Sequence, residues 1–144
     1  MDSAQKLAIE QECRDLVTAI TYYGDHGDVE KAVDLFVEDG SWLRGGKPHK
    51  GRRELSESYR RGKPTNFSRH VAAPTMIFVK DADHAEGVTY YIALNHDPGS
   101  PNPTFPLPFD PPFSMGEWHD KFVRTKDGWK FSARETRRFL QRKS

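Results

Sequence analysis

Tyr22-Tyr23-Gly24-Asp25-His26-Gly27-Asp28 is the stretch on which the reading of this chain turns. Upstream of it, Ile9, Cys13, Leu16, Ile20 and Tyr23 recur at helical spacing, with Glu10, Arg14 and Asp15 off that stripe. This predicts an amphipathic helix from Ser3 or Ala4 to about Gly24. Gly24 and Gly27 end it, because glycine takes the backbone angles a helix C-cap needs. Asp28 is placed to N-cap a second helix, with Glu30 in its first turn. Val29, Ala32, Val33 and Phe36 form that helix's apolar stripe, and Glu38-Asp39-Gly40 closes it. Two aromatics, two carboxylates and a histidine thus crowd the break between two helices. Buried there, they can act as acid or base; exposed, they are turn chemistry.

Outward from this hinge, residues 41–44 alternate and run into Gly45-Gly46, a short strand and turn. Residues 52–61 predict a third helix with Leu55 and Tyr59 inward, ended by Gly62-Lys63-Pro64. The second half reads as strands at 68–80, 85–96, 115–125 and 129–138. Asp81-Ala82-Asp83 turns between the first two, and Lys126-Asp127-Gly128 is a hairpin turn between the last two. In the second strand Val88, Tyr90, Ile92 and Leu94 share one face, and Thr89, Tyr91 and Ala93 the other. Both faces are largely apolar, which predicts a central strand covered on both sides. Residues 97–114 hold seven of the ten prolines together with Phe105, Leu107, Phe109 and Phe113. Proline excludes a regular ladder there. The aromatics argue for a stiff flap over a pocket mouth or an arm onto a neighbouring subunit. The order of elements predicts an α+β fold, with three helices packed on one face of a curved antiparallel sheet.

At 144 residues the chain has the length of one domain, 1–144, and a net charge of +1 gives no field directed at nucleic acid. The basic run at 137–143 reads as a solvated tail. The single Cys13 excludes an internal disulfide and falls on the apolar helix face, as a buried thiol. The N-terminus lacks a signal peptide, and no apolar run approaches a membrane span. These features predict a soluble, cytoplasmic protein with no membrane partner. There is no HExxH and no CxxC, so no metal site is expected, and there is no phosphate loop and no GxSxG elbow.

Four segments carry a resemblance. The helix–Gly-Asp-His-Gly-Asp–helix hinge, Phe36-Val37-Glu38-Asp39-Gly40-Ser41-Trp42, Ser68-Arg69-His70, and Trp118-His119-Asp120-Lys121-Phe122 with Asp127-Gly128-Trp129-Lys130 resemble the SnoaL-like branch of the NTF2-like superfamily. That branch is similar to scytalone dehydratase, bile-acid dehydratase and lindane dehydrochlorinase. The resemblance implies an NTF2-like (cystatin-like) cone: three N-terminal helices packed in a strongly curved, mainly antiparallel sheet around a mostly apolar pocket. It implies a carboxylate–histidine pair at Asp25 and His70, aromatic walls at Tyr22 or Tyr23 and Trp42, and no cofactor. It also implies a homodimer or homotrimer. The tyrosine that bile-acid dehydratase carries five residues before its aspartate falls here on Ile20.

Asp25 caps a helix end or enters the pocket, and His70 is a structural histidine or a general base. In the second reading of each, Asp25 orients His70, His70 abstracts a proton, and Tyr23 polarises a carbonyl or assists a leaving group. Tyr22, Trp42, Tyr91, Trp118 and His119 are the candidate substrate contacts. His26, His49 and His84 read as solvated turn residues. The expected activity is a cofactor-independent dehydratase-like lyase or isomerase acting on a small, largely apolar cyclic substrate. The alternatives are a polyketide-cyclase-like enzyme, or a noncatalytic ligand-binding or subunit-docking module.

Overall fold

The computed structural model describes residues 1–60, 64–109 and 111–143. Its helices are α1 (Ser3–Asp25), α2 (Val29–Val33) and α3 (Gly51–Tyr59). Its strands are β1 (Phe36–Arg44), β2 (Lys47–Lys50), β3 (Phe67–Ala72), β4 (Met76–Val79), β5 (His84–His96), β6 (Ser114–Thr125) and β7 (Gly128–Gln141). The strands form one curved, unclosed sheet in the order β2-β1-β7-β6-β5-β3, with β4 also paired to β5. Among the described residues only the β1–β7 pairing is parallel. Register shifts at Met115/Gly116 and Lys121/Phe122 interrupt the β6–β7 ladder. Such bulges bend a strand and increase its twist, which helps curve the sheet around the helices.

A capping box starts α1: Asp2 Oδ1 accepts from the Gln5 amide at 2.8 Å, and Gln5 Oε1 accepts from the Asp2 amide at 2.8 Å. Gly27, at φ +74°, makes the turn that ends the helix. Gly24 instead stays helical, and its missing side chain serves packing. A Cβ there would lie 3.0 Å from the Tyr59 ring. Asp28 sits at the N-cap position of α2, but its side chain makes no capping bond; it pairs with Lys31 at 3.6 Å.

The second helix is shorter than its pattern. It stops at Val33, and Phe36 opens β1, which runs on through Glu38-Asp39-Gly40. The parallel ladder takes the chain here. The Phe131 amide donates to Leu35 O at 2.9 Å, and the Phe36 and Phe131 rings pack 5.3 Å apart. The expected strand at 68–80 is two strands, broken at Ala73-Pro74-Thr75, where proline has no N–H to give the ladder. Arg61 and the helix stop at Gly62-Lys63 lie outside the described residues. The basic C-terminal run is not a free tail: β7 continues to Gln141, paired with β6.

Ile9, Cys13, Val17 and Ile20 of α1 pack into a core with Leu55, Ile77, Phe122, Trp129 and Phe131. One expectation about β5 fails. Ala85, Gly87, Thr89 and Tyr91 are buried under the helices, but Tyr90 and Ile92 on the other face are exposed. The helices cover one face only, so a single chain leaves the other open. Among the described residues no helix is long and apolar enough to cross a membrane.

Cys13 has no solvent exposure, and burial, with Glu12 adding to it, pushes its thiol up to about 12. The thiolate is the reactive form. Native protein at pH 8 is therefore expected to resist a maleimide and to take up one equivalent only on unfolding in denaturant. Rapid stoichiometric labelling of native protein would contradict this placement.

Candidate active site

The last turn of α1 meets the edge strand β3. Helical positions 20, 21, 24 and 25 face a cavity between α1 and the sheet, and β3 presents Ser68 and His70 to it. Asp25 Oδ1 lies 2.6 Å from His70 Nδ1, and Asp25 Oδ2 accepts from the His70 amide at 2.7 Å. Both carboxylate oxygens are thus held by one residue. The Asp25 side chain is 6% exposed and that of His70 31%. Arg69 Nη1 donates to the Asp25 and Ser68 carbonyls at 3.3 and 2.8 Å, tying the helix end to the strand. An ionised carboxylate only accepts, so Nδ1 donates, and in the neutral imidazole the lone pair is then on Nε2.

The cavity measures ≈ 220 Å³. Trp42, Tyr59, Tyr91 and Trp118 form its aromatic wall. Tyr91 and Trp118 stack at 4.7 Å, and the His70 ring lies 5.7 Å from Trp118. Trp42 Nε1 donates to Thr136 Oγ1 at 2.8 Å, and the Trp42 ring is 5.2 Å from that of Tyr59. Burial pushes the Tyr59 hydroxyl up to about 12, with Asp120 and Asp25 reinforcing and Arg134 and Arg44 opposing. It remains a proton donor at neutral pH. Among the described residues that hydroxyl has no hydrogen-bond partner.

Beside apolar groups such as Ile20, Ala93 and Leu94 the lining carries many polar ones, which corrects the expectation of a mostly apolar pocket. Arg134 is buried and bound by Asp120 through Nε and Nη2 at 2.7 and 2.8 Å. Its guanidinium lies 4.5 Å from the centre of the Trp118 ring. Arg44 donates to Ser58 O at 3.0 Å and lies against Trp42. Asn66, Ser68, Asn95 and Arg138 also face the cavity.

Asp25, His70, Trp42, Tyr91 and Trp118 are therefore brought together, and three expected contacts are not. Tyr22 is 57% exposed and stacks on His26 at 4.0 Å. Tyr23 is half-buried outside the cavity, with Lys31 Nζ 5.6 Å from its ring centre. Successive helix residues are turned about 100° apart, so positions 22 and 23 point away when 21 and 25 point in. His119 follows Trp118 on β6 and so takes the opposite, outer face, where its Nε2 meets Glu117 Oε1 at 2.8 Å. His49 is buried rather than solvated. The proline-rich segment lies mainly over the outer side of β3 and β5: Phe105 packs on Phe67 at 5.5 Å, and Phe113 reaches the cavity.

Tyr59 was legible as an inward residue but not as a cavity residue, and Arg134 gave no signal as one. Among the described residues no three His, Cys, Asp or Glu side chains gather as a metal site.

A family model described as a SnoaL-like domain matches residues 5–135. No curated protein sequence matches the chain. Among solved structures, a protein of Novosphingobium aromaticivorans described as a candidate scytalone dehydratase superposes with a TM-score of 0.78 at 18% identity, over 98% of this chain and 91% of that one. An NTF2-like protein with a cystatin-like fold from the same organism gives 0.75 at 23% identity, over 92% and 85%. A hexachlorocyclohexane dehydrochlorinase, LinA type 2, gives 0.77 at 14% identity, over 96% and 90%. At these identities the likeness reports the fold.

Proposed function

Because the chain belongs to the SnoaL-like domain family, we propose that it is an acid–base lyase or isomerase, with residues 1–144 acting as one domain on a small cyclic substrate. The observation that carries this reading is the Asp25–His70 pair, bonded at 2.6 Å beside an aromatic-walled cavity. His70 Nε2 removes a proton from a ring carbon made acidic by a neighbouring carbonyl. Asp25 fixes the tautomer and stabilises the imidazolium that forms. Tyr59, rather than Tyr23, donates to the carbonyl oxygen as it gains charge. A hydroxyl or halide on the adjacent carbon then leaves, or the proton returns elsewhere on the ring. The remaining Arg134 N–H groups stand ready for the departing anion. The aromatic wall excludes water and strengthens each of these contacts. The cavity sets the scale: about 150 Å³ accommodates a benzene, so ≈ 220 Å³ suits one ring with a few substituents. A cytoplasmic setting rests on the single buried thiol.

Proton abstraction is measurable before the natural substrate is known. A panel of monocyclic β-hydroxy ketones and enones is incubated with enzyme in D₂O and read by mass spectrometry. The expected result is enzyme-dependent deuterium at the carbon next to the carbonyl for at least one compound. No exchange across the panel would favour a noncatalytic binding module.

The exposed sheet face supports self-association. Val71, Ile92, Met115 and Leu140 stand in register across β3, β5, β6 and β7, and all four are exposed. Beside them Glu86, Glu117 and Glu135 alternate with Lys121 and Arg137, a mixed pattern that a second copy complements. Ile92→Lys is expected to shift the light-scattering mass from an oligomer to 16.5 kDa. A monomeric native protein would end this part of the reading.

A further inference from the structure

Resting on that catalytic reading, we propose that the substrate carries a carboxylate, read by Arg138 at the mouth of the cavity while the ring reaches inward to His70. Arg134, Thr136 and Arg138 all face the cavity from β7. Arg134 is at the buried end and Arg138 at the exposed end. Four residues of strand separate them by roughly 13 Å. One six-membered ring bearing a carboxylate, with hydrogen bonds at both ends, fills such a span.

Charge decides which group belongs at the mouth. Among the described residues three guanidinium groups line the cavity, against one lining carboxylate, Asp25, which is already engaged by His70. Asp120 neutralises Arg134. Arg138 meets no carboxylate among the described residues. Its bond to a protein acceptor is a long one, 3.4 Å from Nη1 to the neutral Gln141 Oε1. The group is nevertheless placed rather than loose. It lies 5.5 Å from the centre of the Phe113 ring, with Arg142 5.8 Å from that same centre. Phe113 is pinned in turn: its amide donates to Ala93 O at 2.7 Å, and its carbonyl accepts from the Arg142 amide at 2.9 Å. Asn66, Ser68 and Asn95 add neutral donors to the same lining. A planar guanidinium matches a carboxylate with two parallel hydrogen bonds. A cleft with low-dielectric walls and excess positive charge also concentrates anions.

The test reads binding alone. Benzoate and its neutral isostere benzamide are titrated by calorimetry into the native protein and into Arg138→Gln, Arg138→Lys and Arg137→Gln. Arg137 is the control: it is the next residue along β7, on the outer face and paired with Glu135 at 3.1 Å. Native protein is expected to prefer benzoate by about tenfold, less at high salt. Arg138→Gln removes the preference, Arg138→Lys keeps part of it, and Arg137→Gln keeps all of it. Equal binding of the two ligands, an unchanged preference in Arg138→Gln, or binding of neither ligand overturns the proposal. Its failure is separable from that of the catalytic reading. Benzoate selection without deuterium exchange would sink the catalysis and leave the anion site. Exchange on neutral ketones without benzoate selection would do the reverse.

Discussion

His70→Ala is expected to lower turnover by about 10²–10⁴-fold, the usual contribution of a positioned general base, while KM changes little. The split follows from geometry. The alanine variant keeps the aromatic wall and Tyr59, which hold the ring, and loses only a group that works as the proton moves. The backbone bond from residue 70 to Asp25 Oδ2 survives, because it uses the amide. The other oxygen loses its partner in a poorly exposed place, at about 1–3 kcal/mol of stability. Folded protein is therefore expected, with a modestly lower denaturation midpoint. Asp25→Asn tests the second half of the pair. An amide presents either an acceptor or a donor to Nδ1, and the donor orientation favours the wrong tautomer. In the native protein the Nδ1 proton should appear far downfield of ordinary imidazole N–H signals in the proton NMR spectrum, and Asp25→Asn should move it upfield. Turnover that persists in His70→Ala would show that another group is the base.

The hinge sequence marked Asp25 as a candidate, and the family resemblance paired it with His70. A buried helical stripe ended at Tyr23, and a carboxylate stood two residues on, one helical turn from a cavity-facing position. A strand start 45 residues later supplied the histidine. The tyrosine was misplaced because a stripe read to the nearest residue cannot separate the core-facing edge of a helix from its cavity-facing edge. Thr21 and Tyr23 stand on opposite edges of that stripe, about 200° apart around the helix. The face of His119 was ambiguous because alternation divides a strand into two sets without saying which is inside. Arg134 was hidden by the bulge. Lys121 pairs with Ala133 and Phe122 with Phe131, so Ser132 is the extra residue in β7. It shifts the alternation, and inward positions change from Trp129 and Phe131 to Arg134, Thr136 and Arg138. An alternation begun at Trp129 and carried forward unchanged would put all three on the wrong side. The cavity's polar lining on β7 thus depends on one irregular residue, which no periodic reading detects.

Asp120→Ala is expected to produce the largest loss of stability, about 3–5 kcal/mol against a total of roughly 5–15 for a domain. The Asp120 side chain is 0% exposed and that of Arg134 3%. The substitution leaves a guanidinium without its counterion, pressed between Trp118 and Phe131 at 4.5 and 5.0 Å. Arginine cannot shed its proton to escape, as a buried lysine can. The folded state must hold the naked charge, admit water or break the packing. A fall of roughly 10–15 °C in melting temperature follows for a domain of this size. Asp120→Asn keeps the shape and one acceptor, and should fall between. The decisive variant is the double replacement Asp120→Leu with Arg134→Met. Removing both charges together replaces the pair with apolar volume, which is often neutral or favourable in buried pairs. It should recover most of the urea midpoint lost in Asp120→Ala. A loss below about 1 kcal/mol in the single variant would mean that water in the cavity already solvates the guanidinium. The recovered double variant then isolates chemistry from folding. If Arg134 receives the leaving anion, this stable protein should still exchange ring deuterium through His70 yet fail to complete elimination.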